Sequence, residues 1–452
     1  MGNAATGCLS ALRGSYQSEW FVYCGCTWIY NIFFHPLRKF PGPIFSRASP
    51  LPAAFYFCTG NRLAYVERAH AKYGAIVRIE PDSLSFIDEQ AWKDIHMHRQ
   101  DTNGKGMKQL AKYPILEPAN GVYSIMNAPD DAHSRLRKAL SHAFSDRALK
   151  EQEPLLRSYT DLVMRNMRDD AKCERVVDIV EIFSFLTFDI IGELAFGESF
   201  NATETRKEHP WFALFWTTLT WGAILQVGMT IPFAFLILLP KASSVREHAK
   251  KMFDFAKGQV KKRIAQGDKE RPDFMARVLK HNTNDENGFT IPEIESTFEL
   301  LAIAGSETTA TAMSGLMWFC HTNPYVLHKL QQELRTSFSS DSSITLLKVD
   351  RLPYLHAVIQ ESLRMYPPTP VALTRRTPPS GITICGEWIP GNTTVGVPHQ
   401  IISYSPLNFK EPMSFAPERH LPSGQRPEMF EGDKRGAMQP FGTGPRGCLG
   451  KK

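Results

Sequence analysis

Two spacings of apolar residues alternate along the chain and predict a protein made mainly of helices. In segments such as residues 155–167 and 298–319, an apolar residue recurs every three or four positions, which is the pattern of an amphipathic helix. Residues 75–79 and 84–87 have the apolar, partly β-branched composition of strands and flank a turn at residues 81–83. We expect these two segments to be strands.

A second group of strand signals lies towards the C-terminus. Residues 382–384 and 388–389 predict a hairpin, and the strand-like pattern continues at residues 393–395. The polar segment 267–288 predicts a loop around one short helix, and no internal repeat or clear linker divides the chain. The pattern therefore predicts a mainly α fold with small β-sheets.

An uncharged stretch near the N-terminus, residues 20–34, raises the question of membrane attachment. It is about 15 residues long, or roughly 22 Å as a helix, which is shorter than the ~30 Å bilayer core. Cationic residues follow it, as expected for an anchor whose following domain is cytosolic. We expect residues 1–43 to form a membrane anchor and a proline-rich hinge, either as a single span or as a monotopic helix. A buried N-terminal helix is the alternative.

A longer stretch, residues 211–240, contains no Asp, Glu, Lys or Arg and by length alone could span a bilayer. Pro232, Gly222 and Gly228 favour two short helices that meet at a bend. We expect an apolar surface element here. A protein with two membrane spans and no enzymatic role is the alternative.

Composition excludes several classes of protein. Of the 452 residues, 43% are hydrophobic and 22% are charged, which allows a large buried core. The net charge of +6 comes without a long run of Lys and Arg, so a nucleic acid partner is not expected. The eight cysteines form no CxxC pairs, which argues against a disulfide scaffold or a zinc module and for a reducing compartment.

The candidate chemistry is concentrated in residues 441–450, which read FGTGPRGCLG. Glycines and a proline around Cys448 predict a rigid turn with exposed backbone amides, a setting that suits a thiolate ligand of haem iron. Arg446 is placed to contact a haem propionate with both of its terminal nitrogens. A glycine-rich surface turn with an incidental cysteine is the alternative for this loop.

This loop resembles the haem-binding signature of the cytochrome P450 family, F-x-x-G-x-R-x-C-x-G, at every fixed position, with Phe441 and Gly444 among them. Three further segments resemble motifs of that family in the same order. The resemblance implies a cytochrome P450 catalytic domain over residues 44–452 and haem b, with Cys448 as the iron ligand. It also implies monooxygenation with electrons from NADPH, delivered by an NADPH-cytochrome P450 reductase.

A long helix is predicted from the capping box at residues 290–293 to about Cys320. In its middle, the segment AGSETT at residues 304–309 has low helix propensity, which indicates function. A Ser or Thr hydroxyl there can bond the carbonyl one turn back and open the helix, which would leave room for dioxygen and water. The segment resembles the family's I-helix motif. The resemblance implies that Glu307 and Thr308 relay protons to bound oxygen.

Two further groups of residues resemble family motifs. Glu361 and Arg364 lie at i, i+3 on one predicted helix face, and Arg419 follows in a Pro-Glu-Arg segment. The resemblance implies that these three form a buried triad that supports the haem loop, although this chain has His420 where the family usually has an aromatic residue. By the same resemblance, the haem propionates are expected to be held by His133, Arg137 and Arg375. Residues 370–373, with parts of 211–240 and the helix before Ala304, are expected to line the substrate pocket.

The N-terminal run and the proline-rich segment resemble membrane-bound fungal members of the family that act in secondary metabolism. This implies attachment to the endoplasmic reticulum membrane, a catalytic domain that faces the cytosol, and a lipophilic polyketide, terpenoid or alkaloid substrate. Family members normally continue beyond the cysteine loop with a helix and a hairpin, whereas this sequence ends at Lys452. A non-catalytic remnant that binds haem poorly is therefore kept as an alternative.

Overall fold

The computed structural model describes residues 19, 22–100, 107–112, 120–228, 234–267, 273–281 and 288–451, and the statements below concern those residues. Residues 22–29 are helical, a π-helical turn follows at Tyr30–Phe34, and the helices after it are numbered in chain order. They are α1 Ile44–Ala48, α2 Leu51–Cys58, α3 Arg62–Tyr73, α4 Gln90–His96, α5 Asp130–Ser141, α6 Asp146–Lys172, α7 Ile179–Phe196, α8 Ala202–Thr205, α9 Pro210–Gly228, α10 Ala234–Ala265, α11 Phe274–His281, α12 Ile291–Thr322, α13 Pro324–Ser337, α14 Leu346–Val349, α15 Pro353–Met365 and α16 His399–Tyr404. Short 3-10 turns occur at Asp341–Ser343, Pro417–His420, Glu428–Phe430, Arg435–Ala437 and Leu449–Lys451.

The strands are short and form one five-stranded sheet and two hairpin-like pairs. They are β1 Ile76–Glu80, β2 Ser83–Phe86, β3 Arg99–Gln100, β4 Met107–Lys108, β5 Ala111–Lys112, β6 Arg375–Arg376, β7 Ile382–Ile384, β8 Glu387–Ile389 and β9 Thr394–Gly396. The large sheet has the order β1-β2-β9-β6-β5, with only the β2–β9 pair parallel. The mainly α fold with small sheets is confirmed, and the strands β1, β2, β7 and β8 lie within a residue of their predicted positions.

The predicted hairpin of β7 and β8 pairs Thr383 with Trp388. Its turn places Cys385 at φ 50° and Gly386 at φ 78°, the left-handed conformation that two-residue hairpin turns need. The strand-like residues that follow do not extend this hairpin. They form β9, which instead pairs with β2 and β6 in the large sheet.

Two buried apolar clusters lie on either side of the long helix α12. One cluster contains the sheet residues Val77, Phe86 and Val395, and the other is mainly helical and includes Phe188 and Phe298. Helix α12 packs on α7, α10 and α15, so it lies between the helical part and the sheet part of the fold. Its middle segment is therefore held in place from several directions.

Close packing in the middle of α12 depends on a glycine. A Cβ atom added to Gly305 would lie 2.7 Å from Cδ1 of Ile191 on α7. Since real Cβ atoms do not approach so closely, a side chain here would push the two helices apart. The glycine that lowers helix propensity in this segment thus has a packing role.

The uncharged stretch 211–240 differs from its prediction. The helices are not short: α9 has 19 residues, and α10 has 32 residues and continues through Pro240. Helix α10 persists because later residues such as Met252, Ala256 and Val260 are buried in the helical core, and this burial outweighs the hydrogen bond that one proline removes. The predicted bend falls at residues 229–233, outside the described residues.

The chain between the N-terminal helix and β1 is packed into the fold. Arg78 of β1 is fully buried, and its guanidinium donates to the carbonyls of Asn31 at 2.8 Å and Pro81 at 2.6 Å. The backbone N–H of Arg78 donates to the Pro41 carbonyl at 2.8 Å, and a Cβ on Gly42 would lie 2.1 Å from the Arg78 oxygen. The predicted proline-rich hinge therefore lies directly against the sheet.

No helix within the described ranges combines the length and the apolar character that crossing a membrane requires. The cysteines of the described residues are all free thiols, in agreement with the expected absence of a disulfide scaffold there.

Candidate active site

The cysteine loop is closed by its own backbone and rests on α4. The N–H of Cys448 donates to the Phe441 carbonyl at 2.7 Å, and the N–H of Gly447 donates to the Gly444 carbonyl at 2.9 Å. Gly444 has φ 73°, and a Cβ on it would lie 2.1 Å from the carbonyl oxygen of His96. Only glycine fits this position, because both the backbone conformation and the space exclude a side chain. The loop presents Cys448 with an exposed side chain.

Arg446 lies within the loop and Arg137 lies on α5 next to it. Each makes a contact that the sequence did not predict. Arg446 uses one terminal nitrogen, Nη2, to donate to the Ala128 carbonyl at 2.7 Å and to the Asp130 carboxylate at 2.8 Å. Its other terminal nitrogen, Nη1, is buried and has no hydrogen-bond partner among the described residues, while the predicted bidentate contact with a propionate stays a prediction. Arg137 donates from Nη1 to the Gly447 carbonyl at 2.7 Å and so holds the loop itself.

Five basic residues converge next to the loop: Lys112, His133, Arg137, Arg375 and Arg446. Lys112 lies opposite Arg375 in the antiparallel pair of β5 and β6. Burial and the charges of Arg375 and Arg446 lower the pKa of Lys112 to about 7. Burial, then Arg446, Arg137 and Lys112, lower the pKa of His133 to about 4, while burial and Arg446 lower that of Arg375 to about 10. Such mutual repulsion would be relieved by an anionic ligand.

Three of these side chains carry a buried nitrogen without a hydrogen-bond partner in the described part of the chain: Nδ1 of His133, Nε of Arg375 and Nη1 of Arg446. A buried polar group that is left unpaired costs about 1–3 kcal/mol. The two propionates of a haem group would supply both the acceptors and the negative charge that this cluster lacks, and Cys448 offers a thiolate ligand. The residues present therefore fit haem b.

The predicted proton-relay pair lies in the middle of α12. The Thr308 hydroxyl donates to the Ala304 carbonyl at 2.5 Å, and the side chains of Thr308 and Ala304 are exposed. Contrary to the prediction, the helix is not opened here, because a carbonyl oxygen has two lone pairs and accepts both the hydroxyl and the helical N–H. Burial raises the pKa of Glu307, which also accepts a hydrogen bond from Thr311 at 3.5 Å.

The start of α12 matches its predicted capping box. The Thr290 hydroxyl accepts from the N–H of Glu293, whose carboxylate accepts in turn from the N–H of Thr290 at 2.9 Å. The same carboxylate forms an ion pair with Arg135 of α5. This contact ties α12 to the helix that carries His133 and Arg137.

Another acid of α12 with a raised pKa, Glu299, was missed in the sequence. Burial raises its pKa to about 7, and its carboxyl makes no hydrogen bond to another described residue. It lies two helical turns before Glu307 along the same helix. Its signal in the sequence was a carboxylate within an otherwise apolar helical stretch.

Glu361, Arg364 and Arg419 meet in the core, and all three side chains are fully buried. Arg364 donates to both carboxylate oxygens of Glu361 at 2.8 Å, and Arg419 donates from Nε at 3.0 Å. His420 approaches the same carboxylate at 2.9 Å, and Arg419 also pairs with the buried Asp433. The cluster therefore has five members, and His420 belongs to it as a partner of Glu361.

Burial alone would raise the pKa of Glu361, but the hydrogen bonds of Arg364 and His420 and the charges of both arginines outweigh it. The pKa falls to about 2. One N–H group of the segment before Arg419 is also ordered here, since the N–H of Ala416 donates to Glu361 at 3.0 Å. The ionised Glu361 thus fixes the chain that leads towards the cysteine loop.

The expected substrate-pocket residues are divided in the structure. Val371 and Ala372 line a cavity between α3 and the large sheet, together with Arg62 and Thr374. Trp211, Phe212 and Phe215 of α9 are instead buried in the helical core, so this part of the uncharged stretch does not face a pocket.

Sequence reasoning missed Lys112, Asp433 and the role of His420. Lys112 and Asp433 belong to no motif, His420 is the position at which this chain departs from one, and each is brought to its partners by contacts between distant segments. A basic residue in a short strand and an acid in a loop carry no local signal that could have identified them.

Comparison with known proteins gives one family. The sequence profile described as Cytochrome P450 matches residues 50–452. Cytochrome P450 monooxygenase aclL of Aspergillus oryzae is 39% identical over 426 residues, which cover 94% of this chain and 85% of that protein. Cytochrome P450 monooxygenase astA of Talaromyces wortmannii is 37% identical, with 98% and 86% covered. Versicolorin B desaturase of Aspergillus parasiticus is 39% identical, with 93% and 84% covered.

Proposed function

This chain belongs to the cytochrome P450 family and is a monooxygenase, and on that premise we propose that it oxidises a lipophilic small molecule in fungal secondary metabolism. The proposal includes haem b bound through Cys448 and electrons from NADPH, delivered by an NADPH-cytochrome P450 reductase. The single observation that carries it is the group of unpaired buried nitrogens and crowded cations beside an exposed cysteine thiol. The net charge of +6 suits an acidic reductase surface.

The basic residues hold the cofactor by its carboxylates. His133, Arg375 and Arg446 offer buried donors to the propionates, and Lys112 adds charge on the same side. Arg137 keeps the cysteine loop in position through the Gly447 carbonyl. When it is bound, the haem supplies the activation of dioxygen that lets one oxygen atom enter a substrate C–H bond while the other leaves as water.

Glu307 and Thr308 hold and move the protons that this reaction consumes. Burial raises the pKa of Glu307 above that of an exposed glutamate, so its carboxyl holds a proton more firmly and is better suited to act as a proton donor. The exposed Thr308 hydroxyl, held at 2.5 Å from the Ala304 carbonyl, is a fixed donor and acceptor beside it. We propose that these two adjacent side chains of α12 carry the protons in turn.

A variant of the iron ligand tests the proposal. Cys448→Ala should lose the thiolate signature in the carbon monoxide difference spectrum of the reduced protein, even if some haem is retained. Cys173→Ala is the matched control, because Cys173 is also an exposed free thiol but follows α6, away from the loop. An unchanged spectrum in Cys448→Ala would remove the proposed function.

We also propose that the protein docks on the endoplasmic reticulum membrane through an apolar face around its N-terminus. Phe33 and Phe34 are 62% and 64% exposed, and Phe45 and Phe55 are 76% and 63% exposed. Helix α1 contacts the π-helical turn and α2, and α2 contacts α9, so these side chains share one side of the molecule. An exposed patch of this kind marks a protein or membrane contact.

Vesicle flotation tests this attachment. The double variant Phe33→Glu/Phe45→Glu should bind neutral phospholipid vesicles more weakly than the wild type, since two charges would enter the apolar layer. Leu346→Glu/Leu347→Glu is the control, because these leucines are also exposed but belong to α14. Equal flotation of the wild type and the first variant would show that this face does not contact the membrane.

A further inference from the structure

The histidine at the end of α4, His96, has a buried ring nitrogen that lacks a hydrogen-bond partner among the described residues, as His133 and His399 also do. His96 is 4% exposed, and its Nε2 is buried without a hydrogen-bond partner among the described residues. His70 is equally buried, but both of its nitrogens are bonded, to the Gly74 carbonyl and the Ser85 hydroxyl at 2.8 Å each. A buried donor left unpaired needs an explanation, because native proteins pair nearly all of them.

Its surroundings hold the imidazole rigidly. The ring of Trp92 lies 5.1 Å from that of His96 and 4.9 Å from that of His399. The indole N–H of Trp92 donates to the Ala437 carbonyl at 2.8 Å, which fixes the tryptophan between the two histidines. The imidazole of His96 therefore has little freedom to turn towards another partner.

His96 also lies between the two parts of the proposed haem site. Its carbonyl oxygen contacts Gly444 of the cysteine loop so closely that no side chain fits there. On its other side, Arg375 is near enough to affect it: burial, then Arg375 and His399, lower the pKa of His96 to about 3. The imidazole is therefore neutral, and it carries one N–H that can be donated.

Arg375 shares the same deficiency, since its Nε is buried and unpaired within the described part of the chain. Two unpaired nitrogens, one on a cation and one on a neutral ring, thus belong to neighbouring residues, and the residue that bears the neutral ring contacts the cysteine loop. A carboxylate would accept from both, and the hydrogen bond to the neutral ring would add to the ion pair with the arginine.

We propose that His96 donates a hydrogen bond from Nε2 to the haem propionate that Arg375 binds. It is a positioning residue, since it contacts the cofactor's carboxylate and not the reacting atoms. This inference rests on the proposed haem site and adds to it a residue from α4, an element that carries none of the family motifs. It also gives the close contact between His96 and Gly444 a role, because that contact fixes the position of the donor relative to the loop that bears Cys448.

Three variants test the inference. His96→Phe keeps the ring against Trp92 but removes the donor, and His96→Gln restores an N–H in a shorter side chain. His399→Phe is the matched control, since His399 packs on the same tryptophan and both of its nitrogens are also buried and unpaired. The readouts are the rate of haem transfer to excess apomyoglobin, the midpoint potential of the iron, and urea unfolding of each protein without haem.

His96→Phe should lose haem about tenfold faster than the wild type, which is the effect of one hydrogen bond to a charged group. Its midpoint potential should fall, because a propionate that lacks this donor stabilises the ferric form. His96→Gln should recover most of both, and the unfolding of the haem-free proteins should differ little. An unchanged transfer rate in His96→Phe would overturn the inference.

An equal effect in His399→Phe would also overturn the inference, because it would point to a general role of both rings in the core. The wild-type carbon monoxide difference spectrum is recorded first. Its lack of a thiolate signature would refute the proposed function as a whole, whereas a normal spectrum with an unaffected His96→Phe refutes this inference alone.

Discussion

Replacing Glu361 by glutamine should lower the free energy of unfolding more than almost any other single substitution of a polar residue. The carboxylate accepts five hydrogen bonds, from Arg364 twice, Arg419, His420 and the N–H of Ala416. Two of these bonds end on one oxygen and three on the other. Whichever way the new amide is turned, its NH2 group faces at least two donors, and the two arginines lose a buried counter-charge.

The size of the effect follows from two routes that agree. The pKa of Glu361 falls from 4.5 to about 2, and a shift of that size corresponds to roughly 3 kcal/mol in favour of the ionised form in the folded state. Breaking a buried ion pair by removing one partner costs about 3–5 kcal/mol. We therefore expect Glu361→Gln to lower the free energy of unfolding by about 3–5 kcal/mol at pH 7.

The lowered pKa of Glu361 also predicts how the loss of stability depends on pH. A carboxylate with a lowered pKa in the folded state stabilises the protein fully above its unfolded pKa, near 4.5, and loses that contribution as the pH falls towards 2. The difference in stability between the wild type and Glu361→Gln should therefore be largest at neutral pH and shrink below about pH 4.5.

Urea unfolding followed by far-ultraviolet circular dichroism measures this difference at several pH values. Glu431→Gln is the control, because Glu431 also pairs with an arginine, Arg426 at 2.8 Å, but its side chain is 45% exposed. It should change stability by less than about 1 kcal/mol. A similarly small effect of Glu361→Gln at pH 7, or a difference that does not shrink in acid, would refute the reasoning.

Two further predictions concern α12. Thr308→Ala should keep the carbon monoxide spectrum and substrate binding but shift NADPH-derived electrons from product to hydrogen peroxide, with Thr309→Ala as control; unaltered coupling, measured as product per NADPH, would contradict the proton-relay role. Glu299→Gln should stabilise the protein, because a carboxyl whose pKa is raised to about 7 destabilises the fold progressively as the pH rises from 4.5 to 7. The gain should approach about 3 kcal/mol at pH 8 and vanish at pH 4, and equal thermal unfolding of both proteins at pH 8 would count against it.

The features that the sequence determined are local ones. The capping box at Thr290, the hairpin turn at Cys385 and Gly386 and the closed backbone of the cysteine loop each depend on a few consecutive residues. Their backbone geometry follows from side-chain type and glycine content within that short span. A pattern in the sequence is therefore sufficient to identify them.

Helix length was predicted less well, because it depends on burial in the tertiary structure as well as on local propensity. The prolines and glycines of residues 211–240 predicted two short helices, yet α10 continues through Pro240 because residues three to six turns later are buried in the helical core. Local propensity favours an end by an amount that the burial of several large side chains exceeds. The sequence shows the local propensity but not the burial.

The tertiary structure alone decided the environment of the site. Lys112 lies beside Arg375 only because β5 pairs with β6. His96 reaches the cysteine loop because the end of α4 packs against Gly444, and Asp433 meets Arg419 inside the core. Motifs predicted the residues that we propose to carry the chemistry, because spacing along a chain fixes local geometry. Charge, burial and unpaired donors are sums over everything nearby in space, and so the residues that tune those motifs became visible only once distant segments were brought together.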